Sequence, residues 1–495
     1  MTTSDPDSKS GLFVDENTSS ARGNSPSDPI STIVEEKPKQ TWRSYIWDTF
    51  DKPREERRFL FKFDAIVMTL ISLGFFIKIL DQFNINSAFV SGMKEDLQLN
   101  GNELNYMTSM YTAGYIIGEI PSNILLTKIR PSVWIPACEV VWSVLTILLT
   151  QCKNAQQIYA LRFFIGLAES PLYPGIQFLL GSWYRKDELA KRACIFHASG
   201  NIAAMFSGYL MAATYNLEGV HGYHGWQWLF IINTVISLPI AILGFFFLPD
   251  IPEITKAWYL TEAEIALAKR RMELEGRANR QPYTLAKLRK IFTSWRIYLL
   301  TLIYVLFSNG NGYGGQPAFA LWLKSRGYGV YKVNTYPTIQ YGITVFFTLV
   351  FGWTSDSLFR GGRWQPMIFT GILNIAVNIS LAVWDINVGW KWACYCLGLL
   401  GVGLSGIAFA WAHDICTDDN EERALVVAFM STFAQVVQTW LPLIIWQTVE
   451  APQYRKGFIS SVFIAVLMMG CALTIRWLQR RQEAEKEKEK REGGV

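Results

Sequence analysis

The sequence predicts an all-α membrane protein, with twelve transmembrane helices in two pseudo-symmetric six-helix bundles. Three observations lead there. Half of the 495 residues are hydrophobic, and apolar runs long enough to cross a bilayer recur along the chain. A hydrophilic stretch, 249–295, separates these runs into two sets of six. Lys and Arg divide unevenly between alternate loops, about 31 on the side of the termini against about 8 on the other, which places both termini and the central stretch in the cytoplasm.

In chain order, residues 1–60 form a cytoplasmic tail. It is polar and disordered to about residue 45, so the sequon at Asn17 never meets the glycosylation machinery. From Thr41 to Phe63 aromatic residues are mixed with basic ones, which fits a helix lying on the membrane surface or a plain juxtamembrane linker. No signal peptide precedes the first span, which serves as its own insertion signal. The first bundle (61–248) has spans near 64–92, 104–126, 133–150, 158–184, 193–214 and 227–248. The second (296–478) has spans near 296–322, 336–353, 366–384, 391–415, 424–446 and 457–478, before a charged tail, 479–495. The cysteines form no metal-ligand or disulfide spacing.

The fourth span organises the reading. It carries Arg162 and Glu169, then Pro171 and Pro174. As one helix it sets Arg162, Gly166, Glu169 and Tyr173 on one face, with the two charges roughly 10 Å apart along the axis. Each charge at mid-bilayer costs something like ~3 kcal/mol, so such residues face a bundle interior or an aqueous path. The space over Gly166 is expected to hold water or a substrate carboxylate. Protonating Glu169 would free Arg162 to grip an anion with both nitrogens. The alternative is a packing salt bridge between helices.

The first span adds Lys78 and Asp81, three residues apart and able to pair, with Asn84 one turn on. If Glu169 alone loads a proton, a monoanion enters without net charge; if Asp81 loads one too, each cycle carries one charge. In the seventh span a run of glycines and Pro317 predicts a broken helix. There Asn309, Asn311, Tyr313 and Gln316 offer neutral hydrogen bonds to a substrate. His197 and Gln435 are further polar candidates inside spans, as are Glu119 and Glu139.

The loop GWTSDSLFRGGR after span eight resembles the loop motif of the major facilitator superfamily. The resemblance implies that Asp356, Arg360 and Arg363 act in gating; the first-half counterpart keeps Lys128 and Arg130 and lacks the Asp. LDQFNINSAFVSGMKEDL, GYIIGEIPSN, RFFIGLAES, GSWYRKDEL and LPDIPEITKAWYLTEAEI resemble the anion:cation symporter (allantoate permease) family over roughly 60–480. Their closest likeness is to its fungal pantothenate and biotin branch. The resemblance implies a plasma-membrane importer coupling protons to a small organic anion. Pantothenate is the first choice; biotin, nicotinate and allantoate are the alternatives. It also matches Asp81, Arg162 and Glu169 to the family's acidic, arginine and glutamate positions. Many members have Arg after the span-one Asp where Gln82 stands here, and Lys78 can supply that cation.

A drug or metabolite exporter is disfavoured because span five lacks the Gly-Pro pair usual in that class. A non-transporting nutrient sensor would need a signalling domain, and none is recognisable. Nothing resembles an enzyme's phosphate loop, metal cluster or nucleophile, and the basic residues follow loop topology rather than a nucleic-acid-binding stripe. The chain is expected to work as a monomer, without a cofactor and without nucleic acid.

Overall fold

The computed structural model describes residues 48–126, 129–274, 285–355, 362–416 and 420–492. Among them are helices and turns and no strand. The first bundle is built from α1 (Arg54–Asp96), α2 (Glu103–Leu126), α3 (Pro131–Gln151), α4 (Ala155–Glu169), α5 (Leu172–Trp183), α6 (Lys186–Thr214) and α7 (Gly225–Phe247). The second comprises α8 (Trp295–Gly310), α9 (Ala318–Ser325), α10 (Thr338–Trp353), α11 (Trp364–Val383), α12 (Val388–Ile415), α13 (Asn420–Ile445) and α14 (Arg455–Glu492). Among the described residues seven helices are long and apolar enough to cross a membrane, or eight if Leu285–Thr293 and α8, bent by 58°, count as one. The other expected spans are helical too, but shorter, broken or more polar.

Three elements differ from expectation or refine it. Arg54–Phe63 runs through a π turn into Thr69–Ala88 as part of α1, rather than lying apart on the membrane surface. Phe59, Leu60 and Phe63 are buried, and the Phe63 ring sits 4.6 Å from that of Trp183, so this segment packs on its own bundle. Span four is two helices, not one. Pro171 has no N–H for the Leu167 carbonyl, Ser170 Oγ donates to that carbonyl at 2.8 Å instead, and the chain resumes as α5. Span seven breaks as its composition predicts, between α8 and α9, with Gly312 and Gly315 at φ of 83° and 78°.

Backbone contact joins α2 to α4. A Cβ on Gly114 would overlap the Phe163 carbonyl oxygen, one on Gly166 the Tyr111 carbonyl, and one on Gly118 the Ser170 hydroxyl. Glycines four apart let two helices in a membrane approach this closely.

The bundles meet through α2 on α13 and α6 on α10. Among the described residues, hydrogen bonds between them gather at the end remote from the termini. There the Asn105 amide donates to the carbonyls of Pro442 (3.1 Å) and Trp446 (2.9 Å). Ser109 donates to Thr439 O at 2.7 Å, and Asn334 to Ser91 at 2.7 Å. A Lys324–Glu95 ion pair of 2.7 Å joins the halves at the same end. On α6, Gly208 and Met205 touch Asn334 and Gly342 of the second bundle. About two turns closer to the termini on that stripe, His197 is exposed. Between described residues no side-chain hydrogen bond or ion pair joins the bundles on that side, and there they part.

At the terminus end a buried ion network fastens the helix Glu262–Leu274 to the first bundle. Arg271 reaches Glu188 at 2.5 Å and Glu56 at 2.8 Å. Lys52 reaches Glu188 at 3.0 Å, and Arg192 holds Asp64 at 2.6 Å. Among the described residues named here, cations and carboxylates are equal in number. Burial by itself would raise the Glu188 carboxyl, but Arg271 and Lys52 outweigh it and hold it at about 2.

Candidate functional site

The glycine contact between α2 and α4 fixes what surrounds the charges of the first bundle. Asp81 on α1 and Arg162 and Glu169 on α4 are 0%, 1% and 0% exposed. Asp81 Oδ1 accepts from Thr146 Oγ1 (3.1 Å) and Asn233 Nδ2 (2.9 Å), and its Oδ2 lies 4.0 Å from Arg162 NH1. The Arg162 guanidinium sits 4.6 Å above the Tyr111 ring. Tyr111 in turn donates its hydroxyl to Glu169 Oε2 at 2.5 Å. Asp81 Oδ2, Glu169 Oε1 and Arg162 Nε and NH1 have no hydrogen-bond partner, and the two carboxyls lie within electrostatic reach of each other. Two ionised carboxylates within such reach repel each other, and a proton on either one relieves the repulsion.

Two expectations are corrected here. Lys78 does not pair with Asp81: its Nζ donates to the Tyr115 hydroxyl at 3.1 Å and lies 4.2 Å above that ring. Its charged neighbours are Glu169 and Glu119. The space over Gly166 holds neither water nor a carboxylate, because the Tyr111 carbonyl fills it. Arg162 is therefore sealed within the bundle. Tyr111, Tyr115, Thr146 and Asn233 are the members that sequence reasoning missed. The first two were within reach, since they flank Gly114 one turn apart on a span already rich in small residues.

Comparison with known proteins decides the family. The profile described as Major Facilitator Superfamily matches residues 71–442. The chain belongs to the major facilitator superfamily. It is thus a membrane transporter rather than an enzyme. Its relatives include a pantothenate transporter of Schizosaccharomyces pombe, 33% identical over 86% of this chain and 83% of the relative. A pantothenate transporter of Saccharomyces cerevisiae is 31% identical over 87% of this chain and 86% of the relative. In fold it matches an inward-facing, unoccupied bacterial homologue of the human lysosomal transporter Spinster. The TM-score is 0.61 at 12% identity, covering 85% of this chain and 97% of that one.

The remaining candidates separate into two groups within this major facilitator fold. Tyr173 and His197 stand together where the bundles part, ring centroids 5.9 Å apart, and Tyr173 lies within electrostatic reach of Tyr304 on α8. Gln435 is half-buried on α13, one turn from Thr439, whose carbonyl meets the first bundle. The others turn elsewhere. Asn84 accepts from Ser207 on α6 at 2.8 Å. Asn309 donates to its own helix at Val305 O. Asn311 accepts from Asn374 at 2.6 Å, inside the second bundle. Tyr313 packs between Tyr395, Trp446 and Phe458. Gln316 accepts from Thr448 at 3.2 Å near the closed end. A glycine-rich break frees backbone and side chains, but here neighbouring helices have absorbed them. Arg363 bonds Asp414 at 3.0 Å, while Asp356, Arg360 and Lys128 lie outside the described residues.

Proposed function

We propose that the protein imports a small organic carboxylate, pantothenate first among candidates, together with protons across the plasma membrane by alternating access. The observation that carries this reading is the buried quartet Lys78, Asp81, Arg162 and Glu169 beside the parting of the bundles. With both carboxyls ionised the quartet sums to zero; with one proton it carries one positive charge. At about 8 Å and an effective dielectric of about 20, one such charge is worth about 2 kcal/mol to an anion, roughly thirtyfold in affinity. Proton and anion thus favour each other's binding equally, without Arg162 having to touch the cargo. Lys78, Tyr173 and His197 line the side from which an anion would approach. The pantothenate transporters among its relatives support the substrate class.

The decisive measurement is uptake of radiolabelled pantothenate, with biotin and nicotinate as competitors, in cells lacking their own carrier at two external pH values. Accumulation stimulated by acid is expected; acid-inhibited uptake or efflux rejects the proposal. Glu169→Gln fixes the quartet in its proton-bound charge. Acid-driven accumulation should then disappear while substrate exchange across the membrane persists. Loss of both would remove Glu169 from the coupling role.

A further inference from the structure

Tyr111, Tyr115 and Glu119 follow one another at four-residue spacing along α2 and so share a stripe. At 1.5 Å per residue they lie about 9, 15 and 21 Å from Asn105, where α2 is bound to the second bundle at the closed end. Each member answers to a charge. Tyr111 bonds Glu169, Tyr115 holds the Lys78 ammonium at 3.1 Å, and Lys78 lies in the field of both Glu169 and Glu119. Glu169 and Asp81 have no exposure, whereas Glu119 is half-buried. Among the described residues the groups facing Glu119 are Lys78 of α1, Tyr115 of its own helix and Tyr173 of α5. A proton held by the sealed carboxyls needs a route to water, and this stripe runs from them toward the parted end.

We infer that Glu119 receives the coupling proton on its way out of the bundle, with Lys78 as the carrier between Glu169 and Glu119. This role rests on the proton-coupled reading above. The Lys78 ammonium gives one N–H proton to the Glu119 carboxylate, forming an O–H bond. The neutral amine then takes the proton of the Glu169 carboxylic acid. Glu169 is left ionised, Lys78 is charged again, and Glu119 is neutral until it loses its proton to water. The two transfers leave the net charge of the interior unchanged, and it falls by one only when Glu119 gives its proton to water. Tyr115 is a positioning residue that keeps Nζ between the two carboxyls.

The test uses the full-length protein in proteoliposomes, with pantothenate as substrate. Net uptake under an inward acid gradient and exchange without a gradient are measured for the wild type and for Glu119→Gln, Glu119→Asp and Glu169→Gln. Glu119→Gln should slow the initial acid-driven rate on the order of tenfold or more, reach the wild-type plateau late, and leave exchange intact. Glu119→Asp should recover most of the rate, while Glu169→Gln reaches no plateau above equilibrium. An unchanged initial rate in Glu119→Gln, or a parallel fall of net uptake and exchange, overturns the relay. A wild type that accumulates nothing under the gradient overturns the coupling reading and this role with it.

Discussion

Gly166→Leu is expected to abolish transport and to leave little protein that survives extraction from the membrane as a single species. The Cβ alone would collide with the Tyr111 carbonyl, and Gly114 mirrors the contact against Phe163. Neither partner is a flexible side chain that can step aside, so α2 must back away from α4. Overpacking of this kind costs typically 1–3 kcal/mol per site, and more when backbone has to move. The retreat also pulls Tyr111 from Glu169 and Tyr115 from Lys78, so function fails before stability is exhausted. Gly470→Leu is the control, because nothing lies within 4 Å of the position a Cβ would take there. Size-exclusion profiles in detergent and pantothenate uptake should separate the two variants cleanly; equal behaviour would deny the close contact its role.

Glu188→Ala should lower thermal stability in detergent strongly, by about 3–5 kcal/mol, since it leaves Arg271 and Lys52 buried without their shared carboxylate. The same group makes the fold acid-sensitive. Its folded pKa of about 2 lies below the ordinary 4.5, so its contribution is complete above about pH 4.5 and is lost as the pH falls toward 2. That contribution is of order 3 kcal/mol. Unfolding midpoints measured between neutral and about pH 3 should therefore drop more in the wild type than in Glu188→Gln. Limited proteolysis should show the Glu262–Leu274 helix released first. Parallel pH curves for the two proteins would show that the network contributes nothing in acid.

Much of the architecture was legible in the sequence, and little of the wiring. Hydropathy and the glycine run of span seven depend on local composition, so the helix positions and the break after α8 could be read directly. Span four reads as one helix despite Pro171, and it is the Ser170 bond to the Leu167 carbonyl that makes the interruption there a stable end. The charge partners belong to another class of fact. Spacing said that Lys78 and Asp81 could meet, yet which helix fills the space beside them is decided by Gly114, Gly118 and Gly166. Once α2 lies against α4, Lys78 is met by Tyr115, and Asp81 is left to Arg162, Thr146 and Asn233. A stripe of small residues in span two was the overlooked signal, and it brings Tyr111 and Tyr115 to Glu169 and Lys78. The polar residues of span seven failed for a related reason: a chain break shows that groups are released, not which neighbour captures them.

The docking of the Glu262–Leu274 helix has a practical side for anyone who wishes to watch this transporter move. Because Arg271 is gripped by Glu56 and Glu188 of the first bundle, a spin or fluorescent label on that helix would travel as part of that bundle. Paired with a second label on the exposed face of α14, it would report the rocking angle between the halves as a single distance.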